Sequence, residues 1–288
     1  VASQDYEISS DNYESGSKAH PMTLIVTPIA HDPLCHGSEW VVEDIGLLAE
    51  RVARVALGQY RHVGHILDGL NVRPPKTSAE IGTDALTKMK VDKNGNAWQR
   101  DGWIFQVISW IAANQQKQGA ILKPPHPYHA HKGFDGLQIE IGEDRKSVKA
   151  IVIFEDKATS NPRAKLTQQV WPDIVDLEAG GRVAELTSET TAMLEAQQHA
   201  FPALDIDQAI ESILWNEARC YRVSVTVSDE HKGEPKRKSL FAGFDTAAAG
   251  DLVKRRAETM HFDNLREWMN DFAARVTQKI NELAAAGV

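Results

Sequence analysis

Cysteine is scarce in this chain of 288 residues: Cys35 and Cys220 are the only two. A pair so widely separated supplies no disulfide framework, which points to a reducing compartment and makes the cytoplasm the expected location. Long apolar runs are missing as well. None approaches the ~20 residues a membrane span needs, and no signal-peptide pattern opens the chain. There is no Gly-rich phosphate loop, which excludes the familiar nucleotide-hydrolysing machinery, and no internal repeat. Positive charge is in deficit, with 32 Lys and Arg against 40 Asp and Glu, for a formal net charge of -8. Such a balance excludes a protein that coats nucleic acid indiscriminately. It leaves room for a local phosphate-binding patch and gives a motive for a basic or DNA-bound partner.

What is present fits an ordinary globular protein: 42% hydrophobic and 25% charged residues, with ample length for a sizeable core. Residues 1–20 are polar and Ser-rich and are expected to form a mobile tail. Residues 21–76 are expected to be an N-terminal extension. Met22 to Ile29 is a strand candidate, and His31, Cys35 and His36 fall in a loop whose spacing matches no zinc pattern. A helix capped by Ser38 should follow, with Val42, Ile45, Leu48, Val52 and Val55 as its buried stripe. Pro74-Pro75 breaks the chain, and residues 77–245 are expected to form the core domain.

In that core a helix capped by Thr77 or Ser78 carries Glu80 in its first turn. Asp101 is expected to cap the next helix, whose Trp103, Phe105 and Trp110 read as core residues rather than base-stacking platforms. A Pro- and His-rich loop from Lys123 to Lys132 leads on, and His131 and Lys132 in it are candidate phosphate contacts. Residues 184–217 read as helical. Tyr221 to Ser228 alternates cleanly as a strand, and a charged loop holding Lys236, Arg237 and Lys238 should lead to a partner strand from Ser239 to Phe244. Residues 246–288 are expected to form two helices, Thr246–Thr259 and Asp263–Ala286, the second with an amphipathic stripe from Leu265 to Leu283.

The most informative stretch is Gly133 to Thr159. Phe134, Leu137, Ile139 and Ile141 mark one strand, residues 142–147 a polar turn, and Ala150 to Phe154 a strand buried on both faces. That strand ends in Glu155, Asp156 and Lys157, and charges at the end of a core strand need pairing or a metal. Alternation sends Glu155 and Lys157 to one face and Asp156 to the other. Antiparallel pairing would bring Asp135 beside Glu155 and Lys157. Two carboxylates and a lysine there form a candidate site for a hard divalent cation and an activated water.

Asp135 followed by Glu155-x-Lys157 at the end of a hydrophobic strand resembles the PD-(D/E)xK nuclease superfamily, with Phe134 where the motif usually has proline. The resemblance covers roughly Ser78 to Gln169, and its motif is short and degenerate. It implies an α/β (α+β) fold: a restriction-endonuclease-like core sheet flanked by helices, with helical additions at both ends. It further implies Mg2+, for which Mn2+ may substitute, bound by Asp135, Glu155 and the backbone carbonyl of Asp156, with Lys157 orienting or deprotonating the attacking water. Glu80 would be the additional acidic residue of a preceding helix, and Gln168 or Gln169 a glutamine near the active site. Arg163 and Lys165 would be phosphate contacts.

Within the superfamily, the KGFDGL turn, the FEDKAT strand end and the long C-terminal helical region look like the nuclease subunit of Hachiman-type bacterial anti-phage defence. This implies DNA as substrate and a helicase subunit as partner. Two other readings stand beside it. One is a catalytically inactive nuclease fold serving as a DNA-binding or assembly module. The other is a helical interaction protein in which the motif is accidental.

Overall fold

In the computed structural model, residues 22–116, 119–129, 133–214 and 218–286 are described. The tail expected over 1–20 lies outside them, as do His131 and Lys132. The chain opens with β1 (Leu24–His31) and β2 (Cys35–Val42), followed by α1 (Ile45–Ala56), α2 (Tyr60–Leu67), α3 (Ala79–Thr87) and α4 (Trp98–Gln116). Next come β3 (Ile121–Leu122), β4 (Gly136–Ile141) and β5 (Val148–Lys157). Then α5 (Pro162–Lys165), a π-helical stretch (Leu166–Val170) and α6 (Trp171–Glu178) run on continuously. The remainder is α7 (Val183–Ala196), α8 (Ile206–Leu214), β6 (Arg219–Val227), α9 (Glu234–Leu240), α10 (Phe244–Ala247), β7 (Arg255–His261) and α11 (Leu265–Ala286).

The seven strands form one mixed sheet in the order β1-β2-β7-β6-β5-β4-β3. The central pairings β2–β7, β7–β6 and β6–β5 are parallel, and the outer ones are antiparallel. Parallel strands need both faces covered, and two helical layers provide this. Trp40, Leu48, Val52, Phe105, Ile108 and Phe272 belong to one core, between the sheet and α1, α4 and α11. Leu137, Ile153, Val170, Ile174, Ile213 and Phe241 belong to the other, between the sheet and the helices from α6 to α10. The fold is α/β, and among the described residues no helix is long and apolar enough to cross a membrane.

Four local expectations are corrected. Ser38 lies inside β2, and the helix after it starts at Ile45, where Asp44 accepts the Leu47 amide at 2.8 Å as the N-cap. Asp101 is not a cap but a fully buried residue inside α4, paired with Arg100 at 2.8 Å and with Arg266 of α11. The basic triplet and Ser239–Phe244 form α9 and the turn into α10 rather than a hairpin tip and a strand. Finally, Arg255–His261 is strand β7, where a helix was expected. Its sequence, RRAETMH, conceals the strand because Arg255 and Glu258 are inward-facing and buried, each with hydrogen-bonding partners. The sheet therefore draws β1 and β2 from the presumed extension and β7 from the presumed C-terminal helices, so a boundary at 76 or at 245 would cut it. The terminal helix itself is as expected, and its stripe packs inside the protein.

The hairpin of β4 and β5 follows the reading closely. Residues 142–147 make the turn, in which the Asp144 carboxylate accepts the amides of Lys146 and Ser147 at 2.9 and 3.1 Å. At its open end Gly136 pairs with Phe154, and a Cβ on Gly136 would lie 2.7 Å from the Phe154 ring. The bare backbone lets the ring cover the start of β4. Gly136→Ala is therefore expected to cost about 1–3 kcal/mol in urea unfolding. Gly102→Ala, in α4 with open space around its Cα, is expected to gain roughly 0.5–1 kcal/mol from helix propensity; equal effects at the two positions would contradict this packing.

Candidate active site

Asp135 is the residue before β4, one step beyond the Gly136–Phe154 pair, and so stands beside Glu155. Glu155 and Lys157 share the face of Ile151 and Ile153, and Asp156 points to the α4 face, as alternation requires. The three expected residues are brought together. Lys157 Nζ donates to Asp135 Oδ2 at 2.9 Å and to Glu155 Oε2 at 2.8 Å. The backbone amide of Asp156 donates to the same Asp135 oxygen at 2.8 Å, and Gln106 Nε2 of α4 donates to Asp135 Oδ1 at 2.6 Å. All three side chains are largely buried, with 22%, 18% and 11% of Lys157, Asp135 and Glu155 exposed. Access is thus confined to one rim of the sheet.

The electrostatics follow from that burial. Desolvation pushes the Glu155 carboxyl above its ordinary value against the opposing pull of Lys157, and Asp135 and Asp173 push it further. Burial alone would lower Lys157, but Glu155 and then Asp135 outweigh it and hold the ammonium above its usual value. Lys157 is therefore cationic at neutral pH. Arg182 lies over the Phe134 ring, 4.1 Å from its centroid, so the residue before Asp135 is covered by a guanidinium.

Behind the site, Asp156 joins a buried polar chain. Ser109 Oγ of α4 donates to Asp156 Oδ1 at 2.7 Å, and Arg222 of β6 donates to Ser109 O at 3.2 Å. The Arg222 guanidinium lies over Trp40 and Phe154, 4.9 and 4.5 Å from their centroids, and faces Glu258 at 3.7 Å. Trp40 Nε1 in turn donates to Glu258 at 3.0 Å.

The remaining candidates have other hydrogen-bond partners or are exposed. Glu80 is fully exposed on α3, a helix that packs on α11, and its carboxylate is held below the usual range by a hydrogen bond from Ser78. Among the described residues, the helix-borne side chain hydrogen-bonded to Asp135 is Gln106 of α4 rather than Glu80. Arg163 is exposed and donates to Leu240 O and Ala242 O at 2.8 and 2.7 Å. Lys165 donates to Gln169 at 3.2 Å, and Gln168 and Gln169 are exposed on the π-helical stretch. None of these is hydrogen-bonded to Asp135, Glu155 or Lys157 among the described residues. Sequence reasoning missed Gln106, Ser109 and Arg222. The first two carried a signal: polar residues at i and i+3 on a helix otherwise apolar around its circumference.

A separate group, Asp229, His261 and Asp263, gathers at the ends of β6 and β7 with ligand atoms within 4.8 Å of one another. Its carboxylates are exposed, and His261 Nε2 lies 2.9 Å from Asp229 Oδ1. No protein-family model matches this chain, and no curated protein does.

Burial raises the Asp156 acid from 3.8 to about 7, against the pull of Arg222 and with a push from Asp135. A carboxyl raised on folding contributes stability that is complete below its unfolded pKa and is lost as pH rises through its folded one. Stability should fall between pH 4 and pH 8, and Asp156→Asn, which keeps the acceptor for Ser109, should remove about 2–4 kcal/mol of that fall. Urea unfolding at the two pH values measures it; an unchanged slope in the variant would show that Asp156 is ionised in the native protein.

Proposed function

We propose that this protein is a metal-dependent nuclease that hydrolyses DNA phosphodiester bonds. The observation that carries the reading is the meeting of Asp135, Glu155 and Lys157 at the end of a buried strand, with one ammonium 2.9 and 2.8 Å from the two carboxylates. Two acidic groups sharing a cation so far out of water make a favourable seat for a hard divalent ion. The donor set fits Mg2+: carboxylate oxygens from Asp135 and Glu155, and a backbone carbonyl from Asp156. In a strand the N–H and C=O of one residue point the same way. The Asp156 amide faces Asp135, so its carbonyl turns to that side too. When bound, the ion polarises the scissile phosphodiester and lowers the pKa of a water.

The chain's own groups then divide the work. Lys157, held protonated by its neighbours, serves as hydrogen-bond donor and counter-charge for a phosphoryl oxygen rather than as the base. Glu155 would hold the ion together with Asp135 and keep its contact to Lys157. Gln106 and the Asp156 amide fix the Asp135 carboxylate, so its orientation is set before substrate arrives. The core sheet is read on this account as restriction-endonuclease-like.

The net charge of -8 opposes the capture of DNA unaided. We therefore place the protein with a partner that delivers the substrate, a helicase subunit as in Hachiman-type anti-phage defence.

The test is cleavage of labelled DNA with Mg2+ or EDTA, with and without the product of a neighbouring gene. Asp135→Asn, Glu155→Gln and Lys157→Met should each lower the rate at least ~100-fold with the fold retained by circular dichroism, as loss of a transition-state stabiliser does. Cutting that survives EDTA, or that persists in all three variants, would defeat the proposal.

A further inference from the structure

On the sheet face opposite Glu155 and Lys157, a cavity of about 740 Å³ opens beyond the last turn of α4. Its floor is not apolar. Gln138 and Glu140 of β4, Arg222 of β6, and Arg256 and Glu258 of β7 all point into it. Glu140 pairs with Arg256 at 2.7 Å and accepts from Gln138 at 3.0 Å, and Gln116 of α4 approaches Glu258 at 3.5 Å. Elsewhere on this face α4 closes the sheet with apolar side chains, so an open chamber floored by charged groups is a departure from the packing around it. Charges on a core sheet are costly to keep, and well-packed apolar residues would often be as stable or more so.

The arrangement has a second peculiarity. Arg222 and Arg256 are direct cross-strand partners in β6 and β7. Like charges in that position repel, and Arg256 indeed disfavours the charge on Arg222. Glu140, Glu258 and Asp251 offset three of the four cations that line the chamber, and Lys149 at the rim is exposed, which leaves the lining with one positive charge in excess. In a chain of net charge -8, a chamber with this cationic side is suited to an anion. Opposite, Leu24, Val26 and Pro28 of β1 supply an apolar wall. The amides of Gln115, Gln116 and Gln138 and the carboxylates of Glu140 and Glu258 in the same lining offer both donors and acceptors, which the edge of a heterocyclic base can use. The volume is that of an ordinary small-molecule site.

We propose that this cavity binds a nucleotide, its ring against β1 and its phosphate toward Arg256, Lys149 and Lys254. The site is separate from the hydrolytic one and does not depend on it. Cys220 lines the chamber and Cys35 does not, and both are buried free thiols. The two cysteines thus report on occupancy.

The experiment uses the full chain without added metal. AMP, GMP, CMP and UMP are titrated by calorimetry, with adenosine and inorganic phosphate as separate arms, and iodoacetamide labelling of each cysteine is followed by mass spectrometry. At least one monophosphate should bind and slow labelling of Cys220 about fivefold or more while leaving Cys35 unchanged. Adenosine and phosphate alone should do neither as well. Lys149→Glu, a rim substitution that leaves the core intact, should weaken the binding about tenfold. Failure of every monophosphate to bind and protect Cys220, inorganic phosphate matching the nucleotides, or undiminished binding in Lys149→Glu would each overturn the assignment. Because no cleavage is measured, these outcomes are independent of whether the protein is a nuclease.

Discussion

Two carboxylates cannot be set side by side in a dry pocket unless something positive is placed with them, and here that is the ammonium of Lys157. It donates to both Asp135 and Glu155 from a position within the same strand end. Without it the repulsion would push one acid to neutrality and the hairpin would lose its reason to close at that rim. The antiparallel register of β4 and β5 supplies the geometry, the lysine supplies the charge balance, and the buried apolar run before it excludes water. Each of these is useless without the other two, which is why a short motif needs a whole sheet to support it.

Arginine holds much of the rest together. Arg219 donates to Ile213 O, Leu214 O and Leu177 O, so that a single side chain closes the ends of α8 and α6 onto the first residue of β6. Arg255 does the same for Pro33 O, Leu34 O, Ala248 O and Gly250 O at the start of β7. Helix ends and loop carbonyls that lack backbone partners must be satisfied somewhere. A planar fork of five donors reaches several at once where a lysine could not. Burial of these cations is affordable because each one meets multiple oxygens.

These same arginines explain what was legible in the sequence and what was not. The β4–β5 hairpin and the gathering of Asp135, Glu155 and Lys157 could be read directly, because an apolar run, a polar turn and strict alternation are local signals. The last helix was readable for the same reason, from Leu265 to Leu283. Strand β7 was not, since its buried positions include Arg255 and Glu258, whose partners include Leu34 and Trp40, more than 200 residues away along the chain. Ser38 looked like a helix cap because serine often is one, and it is pairing with β1 and β7 that makes that stretch a strand. The role of Gln106 depends on how α4 lies across the sheet, a tertiary fact that no periodicity contains. Arg163 and Glu80 have partners of their own, Leu240 and Ala242 for the first and Ser78 for the second, which residue type alone does not reveal.

One strand, β5, presents consecutive residues to two different compartments. Asp156 is clamped on one side through its carboxylate to Ser109 and on the other through its amide to Asp135, while Arg222 grips Ser109 and also floors the large chamber. The rim that holds Asp135 and the chamber floored by Arg222 are thus linked across the sheet by a short relay of hydrogen bonds through Asp156 and Ser109.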